Sequence, residues 1–193
     1  MKINDKILNE SRQVSINRSE NIWKGSEFEF LLPLSSDERG RWGEYHFHRI
    51  LQEYTDYSVV WDGDSNTEPE DGVYDMKANS LRTEMKTAMK GTKSDSWQHD
   101  GIKEVDDYDK LVLFDLVYSG FYITIIKNTE MVYGTRHSIF EKKSTPCKGY
   151  WKFDMSNATL RKGIVAGLTY FHDLENPNDV EFSKFLVRHF HEK

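Results

Sequence analysis

The sequence has a single cysteine and lacks the short motifs that identify several common activities. Cys147 has no second cysteine to pair with, so no disulfide can form within the chain, which is typical of proteins in a reducing cytosol. No apolar run approaches the ~18–20 residues that a membrane span needs, and residues 1–6 lack the apolar core of a signal peptide. P-loop, zinc-finger and nucleophile-elbow patterns are also absent. We therefore expect a cytoplasmic protein whose chemistry lies outside those classes.

An excess of positive charge is absent too. The 193 residues carry a net charge of −6, which argues against a protein that binds nucleic acid through its bulk charge. An enzyme that clusters acids at a metal site and bases along one groove remains compatible with this composition. Hydrophobic residues make up 37% and aromatic residues 13%, which indicates a folded chain, and the length suits one domain with its own core.

A tight hairpin is predicted between residues 71 and 86. Residues 73–77 and 81–87 read as two short strands, with Asn79 and Ser80 between them. Asparagine tolerates the positive φ that a two-residue hairpin turn requires. These two residues as the turn fix the register of the two strands.

The register brings charged side chains together. Asp75 falls opposite Glu84, and the alternation of a strand places Lys86 on the same face as Glu84. Like charges facing each other across a ladder repel, but two converging carboxylates can share a hard cation such as Mg²⁺. A nearby ammonium would hold a metal-bound water or stabilise negative charge on a phosphate. The alternative is a solvated hairpin whose polar face meets water.

The order of these residues, Asp75 followed by Glu84-Met85-Lys86, resembles the PD-(D/E)xK nucleases, the restriction-endonuclease-like superfamily. No proline immediately precedes Asp75, which departs from the family pattern. Asp71, which follows Pro-Glu, is a rival for the first acid, and Asp62 and Asp64 are more distant candidates. Asp75 is preferred because the register places it opposite Glu84.

The resemblance extends beyond the hairpin to residues 36–127, about half of the chain. A predicted helix with Glu44 comes before the hairpin, and a stretch with Gln98 followed by an apolar strand at residues 111–116 comes after it. The sequence of helix, carboxylate hairpin, Gln-bearing helix and strand is the common core of the superfamily. The resemblance therefore implies an α/β fold with a mixed central β-sheet flanked by helices, of restriction-endonuclease-like architecture.

The function that the resemblance implies is Mg²⁺-dependent hydrolysis of DNA phosphodiester bonds, with Mn²⁺ as a substitute cofactor. A type II restriction endonuclease, or its catalytic subunit, is the first expectation, and double-stranded DNA is then the substrate. The small size implies a homodimer or a separate DNA-recognition subunit. A DNA repair nuclease or a Holliday junction resolvase is an alternative. A non-catalytic DNA- or partner-binding protein on the same fold is another.

The resemblance also assigns roles to residues of the hairpin and of the helix before it. Asp75, Glu84 and the backbone carbonyl of Met85 would bind the metal, and Glu44 would hold a second cation. Lys86 would position or deprotonate the attacking water and stabilise the charge that develops on the phosphate oxygens.

Downstream residues are expected to contact water or DNA. A short helix is predicted from about residue 95 to residue 105, and Gln98 on it would orient water or phosphate. The basic residues beside the hairpin would contact the DNA backbone. These DNA-binding candidates are Lys90, Lys93 and His99.

Three segments are predicted. Residues 1–35 form an N-terminal arm, residues 36–127 the nuclease core, and residues 128–193 an extension that completes the same domain and contacts DNA or a partner. Ser35 and Glu38 have capping-box spacing, which predicts a helix that begins at residue 36 and ends near residue 54. Gly40 and Gly43 on this helix are both expected to pack closely against a neighbour.

Overall fold

The computed structural model describes residues 22–61, 63, 74–91, 96–102, 107–128 and 151–191. In chain order, the elements are a 3₁₀ helix at Glu29–Leu31, α1 (Ser36–Tyr54), β1 (Val59–Trp61), β2 (Met76–Ala78), β3 (Leu81–Met89), β4 (Ser96–Ile102), β5 (Lys110–Val117), β6 (Gly120–Lys127), β7 (Trp151–Ser156), α2 (Asn157–Val165), β8 (Thr169–Asp173) and α3 (Asp179–Phe190).

Helix α1 begins where the sequence predicts. The Ser35 hydroxyl accepts a hydrogen bond from the backbone N–H of Glu38, and the Glu38 carboxylate accepts one from the backbone N–H of Ser35. This reciprocal pair satisfies two donors at the helix start. Gly43 lies against β3, because a Cβ atom there would overlap Thr87 Oγ1 and lie 2.8 Å from Thr87 Cβ. The close packing predicted for Gly43 is confirmed. The same prediction for Gly40 is wrong, because no atom of the described residues lies within 4 Å of a Cβ atom placed there.

A mixed six-stranded sheet forms the centre of the molecule, in the order β1-β2-β3-β5-β6-β8. Strands β3 and β5 are parallel, and every other neighbouring pair in this sheet is antiparallel. Strand β5 is buried along nearly its whole length, as its continuous apolar sequence predicts. The predicted mixed α/β architecture with a central sheet flanked by helices is thus confirmed.

Each face of this sheet has its own core. Alternate residues of β5 point to opposite faces, so Val112 and Phe114 belong to one core while Leu111 and Leu113 belong to the other. Helices α1 and α3 cover the first core. The second core lies beneath α2 and a small antiparallel sheet of β4 and β7.

The described part of the predicted N-terminal arm is integrated into the first core. Trp23, Phe28 and Leu31 are buried there, with Leu31 fully buried. The apolar residues at these positions have no helical or strand period, which is why the sequence alone indicated an arm. The free energy gained by burying these large apolar side chains stabilises the segment, although it contains little regular secondary structure.

The segment around Gln98 is a strand, so the predicted helix is wrong. Trp97 and His99 are buried while Gln98 is exposed, which is the two-residue period of a strand. The strand pairs with β7, and the register shifts between His99 and Ile102 around Gly101, whose φ is +70°. The strand conformation depends on pairing with β7, which lies more than fifty residues further along the chain.

The described C-terminal residues join the central sheet. Strand β8 pairs with β6, and α3 packs against α1. The Ser183 hydroxyl donates a 2.7 Å hydrogen bond to the backbone carbonyl of Tyr54. None of the helices in the described ranges is long and apolar enough to cross a membrane.

Candidate functional site

The hairpin of β2 and β3 has the predicted turn and register. Asn79 and Ser80 have φ values of 47° and 67°, as a two-residue turn with two positive φ angles requires. Lys77 pairs with Arg82 across the turn. The ladder ends where Met76 pairs with Thr83, so Asp75 lies just before β2 instead of within it.

Asp75 nevertheless reaches β3 through its side chain. Its backbone N–H donates to the Thr83 carbonyl at 3.1 Å, and its Oδ2 accepts from the backbone N–H of Met85 at 2.7 Å. The carboxylate therefore continues the hairpin contacts beyond the last paired residue. This places the first acid beside the segment that carries Glu84 and Lys86.

Glu84 and Lys86 share one face of β3, as predicted. Lys86 Nζ lies 2.6 Å from Glu84 Oε1. The Glu84 side chain is fully buried, and 23% of the Lys86 side chain is exposed. A buried carboxylate requires such a partner, because an unpaired charge away from water is costly.

Glu44 approaches the same charges from α1. Its Oε2 accepts a 3.4 Å hydrogen bond from Trp61 Nε1, and the Trp61 ring stacks on His48 with centroids 6.0 Å apart. His48 is buried against this ring. Glu44, Asp75 and Glu84, together with Lys86, are called the acidic cluster below.

Burial and mutual repulsion raise the pKa values of two acids in this cluster. Burial, followed by the charge of Glu84, raises the pKa of Asp75 to about 7, against the opposing effect of Lys86. Burial likewise raises the pKa of Glu44, partly offset by the hydrogen bond from Trp61 and the charge of Lys86. The cluster thus holds more negative charge than its single ammonium neutralises.

The pKa of Lys86 is shifted in the direction opposite to that of a lysine that acts as a general base. Burial would lower its pKa, but the negative charges of Glu84 and Asp75 outweigh burial, and the net shift of the Lys86 pKa is upward. The side chain is an ammonium at neutral pH. It can donate hydrogen bonds and stabilise an anion, but in this environment it does not accept a proton from water.

The donor set of the cluster fits a divalent cation. Carboxylate oxygens are the ligands that Mg²⁺ prefers, and a 2+ ion would offset the excess negative charge that raises the Asp75 pKa. As the side chains are placed, no three His, Cys, Asp or Glu residues within the described ranges form a metal-binding group by themselves. The predicted ligand set of Asp75, Glu84 and the Met85 carbonyl would supply two carboxylates and one carbonyl oxygen, and water would fill the remaining positions around the ion.

A polar cleft of about 380 Å³ lies further along β3, between the start of α1 and β4. Its polar lining includes Arg39, Lys90, Ser96 and Gln98. Lys90 lies four residues beyond Lys86, roughly 13 Å along an extended strand. The Lys90 ammonium sits over the Trp97 ring, 5.4 Å from the centroid. Arg39 did not emerge from the sequence, where it is one of many charges in an amphipathic helix.

Two of the predicted residues have other positions. Gln98 lines the cleft but is exposed on β4, in a strand instead of the predicted helix. His99, predicted to contact DNA, is buried, and its Nε2 lies 2.8 Å from Asp115 Oδ1. The DNA-contact prediction for His99 is wrong because a buried imidazole cannot reach a phosphate. Lys93 and the alternative first acids Asp62, Asp64 and Asp71 lie outside the described residues.

Comparisons of the chain with models of protein families, with curated proteins and with solved structures give no match.

Proposed function

We propose that the chain is a Mg²⁺-dependent DNA endonuclease with a restriction-endonuclease-like fold. The observation that carries the proposal is the convergence of Asp75, Glu84 and Lys86 on one side of the β2–β3 hairpin. A solvated hairpin would leave such side chains exposed and separately hydrated. Here Glu84 is fully buried, and Asp75 is held by a backbone N–H group, so the charges are fixed in place at a cost to stability.

The proposed ligands of Mg²⁺ are Asp75, Glu84 and the backbone carbonyl of Met85. Mn²⁺, which also prefers oxygen ligands, is expected to substitute. A bound divalent ion supplies polarisation of the scissile phosphate and lowers the pKa of water. Glu44 is half-buried with a raised pKa, which suits a group that holds a second cation or a water at the edge of the cluster.

Lys86 acts as an electrostatic group in this proposal. Its raised pKa favours an ammonium that orients the attacking water and stabilises the negative charge developing on the phosphate oxygens. The alternative role inferred from the sequence, removal of a proton from water, requires a neutral amine. The raised Lys86 pKa is that of the metal-free cluster, and the positive charge of a bound divalent ion would lower it.

The polar cleft provides the proposed path for the DNA backbone. Arg39 and Lys90 would contact phosphates, and Gln98 would donate to a phosphate or sugar oxygen. These contacts position the duplex without reading its sequence. A small catalytic chain of this kind would act as a type II restriction endonuclease through a homodimer or with a separate DNA-recognition subunit. A repair nuclease or Holliday junction resolvase would use the same cluster on another DNA shape.

Metal binding tests the proposal before any substrate is chosen. Thermal unfolding would be measured with increasing Mg²⁺ or Mn²⁺, for the wild-type protein and for Asp75→Asn and Glu84→Gln. Saturating metal is expected to raise the unfolding free energy of the wild type by about 2.7 kcal/mol when its concentration is about 100 times Kd. Both variants should lose this increment.

Asp56→Asn provides the matched control. Asp56 is an exposed aspartate after the end of α1, and its replacement should leave the metal response unchanged. Equal metal stabilisation of the wild type and of Asp75→Asn would remove the basis of the proposal. A wild type that does not respond to either ion would favour a non-catalytic binding protein.

A further inference from the structure

A second cavity lies on the opposite side of α1 from the acidic cluster. Its volume is about 630 Å³, and Trp42 and His46 line it. Glu44 lies midway between them in sequence, which turns its side chain about 200° around the helix from Trp42. The two sites therefore use opposite sides of one helix. The cavity is also within the usual size range of small-molecule pockets, roughly 300–1,000 Å³.

Half of the residues that line this cavity carry aromatic rings. Trp42 stacks on His46 with centroids 4.8 Å apart, and Phe30 meets Trp42 edge to face at 5.8 Å. Phe30 is 54% exposed and Tyr118 49% exposed. Large aromatic side chains exposed around one concavity are uncommon on a protein surface without a ligand or partner. Phe28 and Phe121 complete the aromatic lining.

The charges of the cavity have one sign. Glu27 and Glu175 line it, whereas no lysine or arginine among the described residues does. Neither carboxylate forms an ion pair within the described ranges. Burial lowers the pKa of the His46 imidazole, so this ring adds no positive charge at neutral pH. A phosphate or carboxylate ligand would meet repulsion here, which makes the cavity unsuitable for the DNA backbone.

We propose that this cavity binds a small organic cation, an alkylammonium group carried on an apolar body. Aromatic faces attract such cations through the ring quadrupole, and the attraction is strongest when the cation sheds part of its water. Glu27 and Glu175 supply the matching charge, and Phe30 and Tyr118 cover the apolar body. The site is separate from the acidic cluster and does not depend on the nuclease proposal.

The test compares a cation with an uncharged molecule of the same shape. Choline and its carbon isostere dimethylbutanol would be titrated into the full chain, with benzyltrimethylammonium as a larger cation, and binding followed by calorimetry and by amide chemical shifts. Choline is expected to bind about 5–30-fold more tightly than the isostere, the range that a cation–π contribution of ~1–2 kcal/mol gives. Benzyltrimethylammonium should bind more tightly still, because it fills more of the cavity.

Variants locate the site. The double variant Glu27→Gln/Glu175→Gln should lose most of the preference for choline over its uncharged isostere. Phe30→Ala should lower the affinity for both cations several-fold. Glu53→Gln, an exposed glutamate at the far end of α1, is the matched control and should change neither. All of these variants alter exposed or partly exposed side chains, and their Mg²⁺-dependent stabilisation should equal that of the wild type.

Several results would overturn the inference. Equal affinity for choline and its isostere would show that charge plays no part. Cation binding that survives the double variant and Phe30→Ala would place the site elsewhere. A capped lysine or arginine peptide that binds more tightly than the free cations would assign the cavity to a protein partner instead of a small molecule. No binding of any probe at millimolar concentration would also contradict the proposal.

Discussion

The carboxylate of Asp75 accepts a 2.7 Å hydrogen bond from the backbone N–H of Met85, the residue between Glu84 and Lys86. This single bond ties the chain that enters the hairpin to the strand that leaves it. Because a backbone N–H cannot move away without disturbing β3, the Asp75 carboxylate is held beside Glu84 despite their repulsion. Burial and the charge of Glu84 make the ionised Asp75 carboxylate unfavourable, and they raise its pKa to about 7.

Replacing Asp75 by asparagine should stabilise the metal-free protein at high pH. The pKa of an unfolded aspartate is about 3.9, whereas that of Asp75 in the folded state is raised to about 7. Between these values the folded protein binds more protons than the unfolded chain, so this group contributes stability at low pH that is lost as pH rises to about 7. Asparagine keeps the acceptor for Met85 N–H and carries no charge.

The unfolding free energy of Asp75→Asn at pH 8 should exceed that of the wild type by about 1–3 kcal/mol. The difference should shrink at pH 5, where Asp75 is protonated in the folded state. Urea denaturation in the presence of a chelator measures both values, with Asp56→Asn as the control. A variant that is less stable than the wild type at pH 8 would contradict the account of the cluster.

Two glycines of α1 should respond oppositely to alanine. At Gly43 the new methyl group would collide with Thr87, so Gly43→Ala should lower the unfolding free energy by about 1–3 kcal/mol. At Gly40 no atom of the described residues lies within 4 Å of the added Cβ atom. Gly40→Ala should therefore raise the unfolding free energy by up to ~1 kcal/mol, because alanine has the higher helix propensity. Chemical denaturation of both variants and of the wild type measures these changes in unfolding free energy. Changes of the same sign in the two variants would contradict the prediction.

A second change tests the cause of the Gly43 effect. Thr87→Ala removes Oγ1 and Cγ2 but leaves Cβ, which would lie 2.8 Å from the new methyl group. The double variant should therefore recover only part of the loss. Strict additivity of Gly43→Ala and Thr87→Ala would mean that the two residues do not collide.

The buried pair of His99 and Asp115 should be important for stability. Both side chains are fully buried, and their 2.8 Å contact gives the Asp115 carboxyl its partner. His99→Phe removes that partner and should cost about 2–4 kcal/mol of unfolding free energy. Gln98→Ala, next to it but exposed, should change stability by less than ~0.5 kcal/mol. Similar stability of the two variants would show that the pair contributes little.

The polar cleft makes a prediction about the salt dependence of DNA binding. Arg39→Ala and Lys90→Ala should each reduce the slope of log K against log salt concentration by about 0.9, the value for one phosphate contact. Binding would be measured with Mg²⁺ omitted so that DNA stays intact. Arg49→Ala, an exposed arginine on α1 that bonds Gln52, is the control. Unchanged slopes for both cleft variants would move the DNA path away from this cleft.

Local chemistry explains which elements the sequence predicts correctly. The Asn79-Ser80 turn, the Ser35–Glu38 capping box and the apolar run of β5 each depend on residues close together in the chain. The shared face of Glu84 and Lys86 follows from strand alternation once the turn is known. These features need no knowledge of distant segments.

Distant partners explain the failures. Strand β4 pairs with β7, and nothing near Gln98 indicates that partner. The alternation of Trp97 and His99 around Gln98 was a usable signal for a strand, but the interruption at Gly101 shortens it. Trp23 and Leu31 are buried by α1 and the first core, a tertiary effect that apolar residues without a helical or strand period do not reveal.

Cleavage of long unmodified duplex DNA with Mg²⁺ is the decisive measurement for the proposal that the acidic cluster hydrolyses DNA. Wild type, Lys86→Ala and the control Lys77→Ala, a lysine on the neighbouring strand, would be compared. Discrete fragments are expected for the wild type and the control, with a cleavage rate at least ~100-fold lower for Lys86→Ala. Cleavage by Lys86→Ala at the wild-type rate would contradict the proposal, as would a wild type that leaves unmodified, methylated and branched DNA intact.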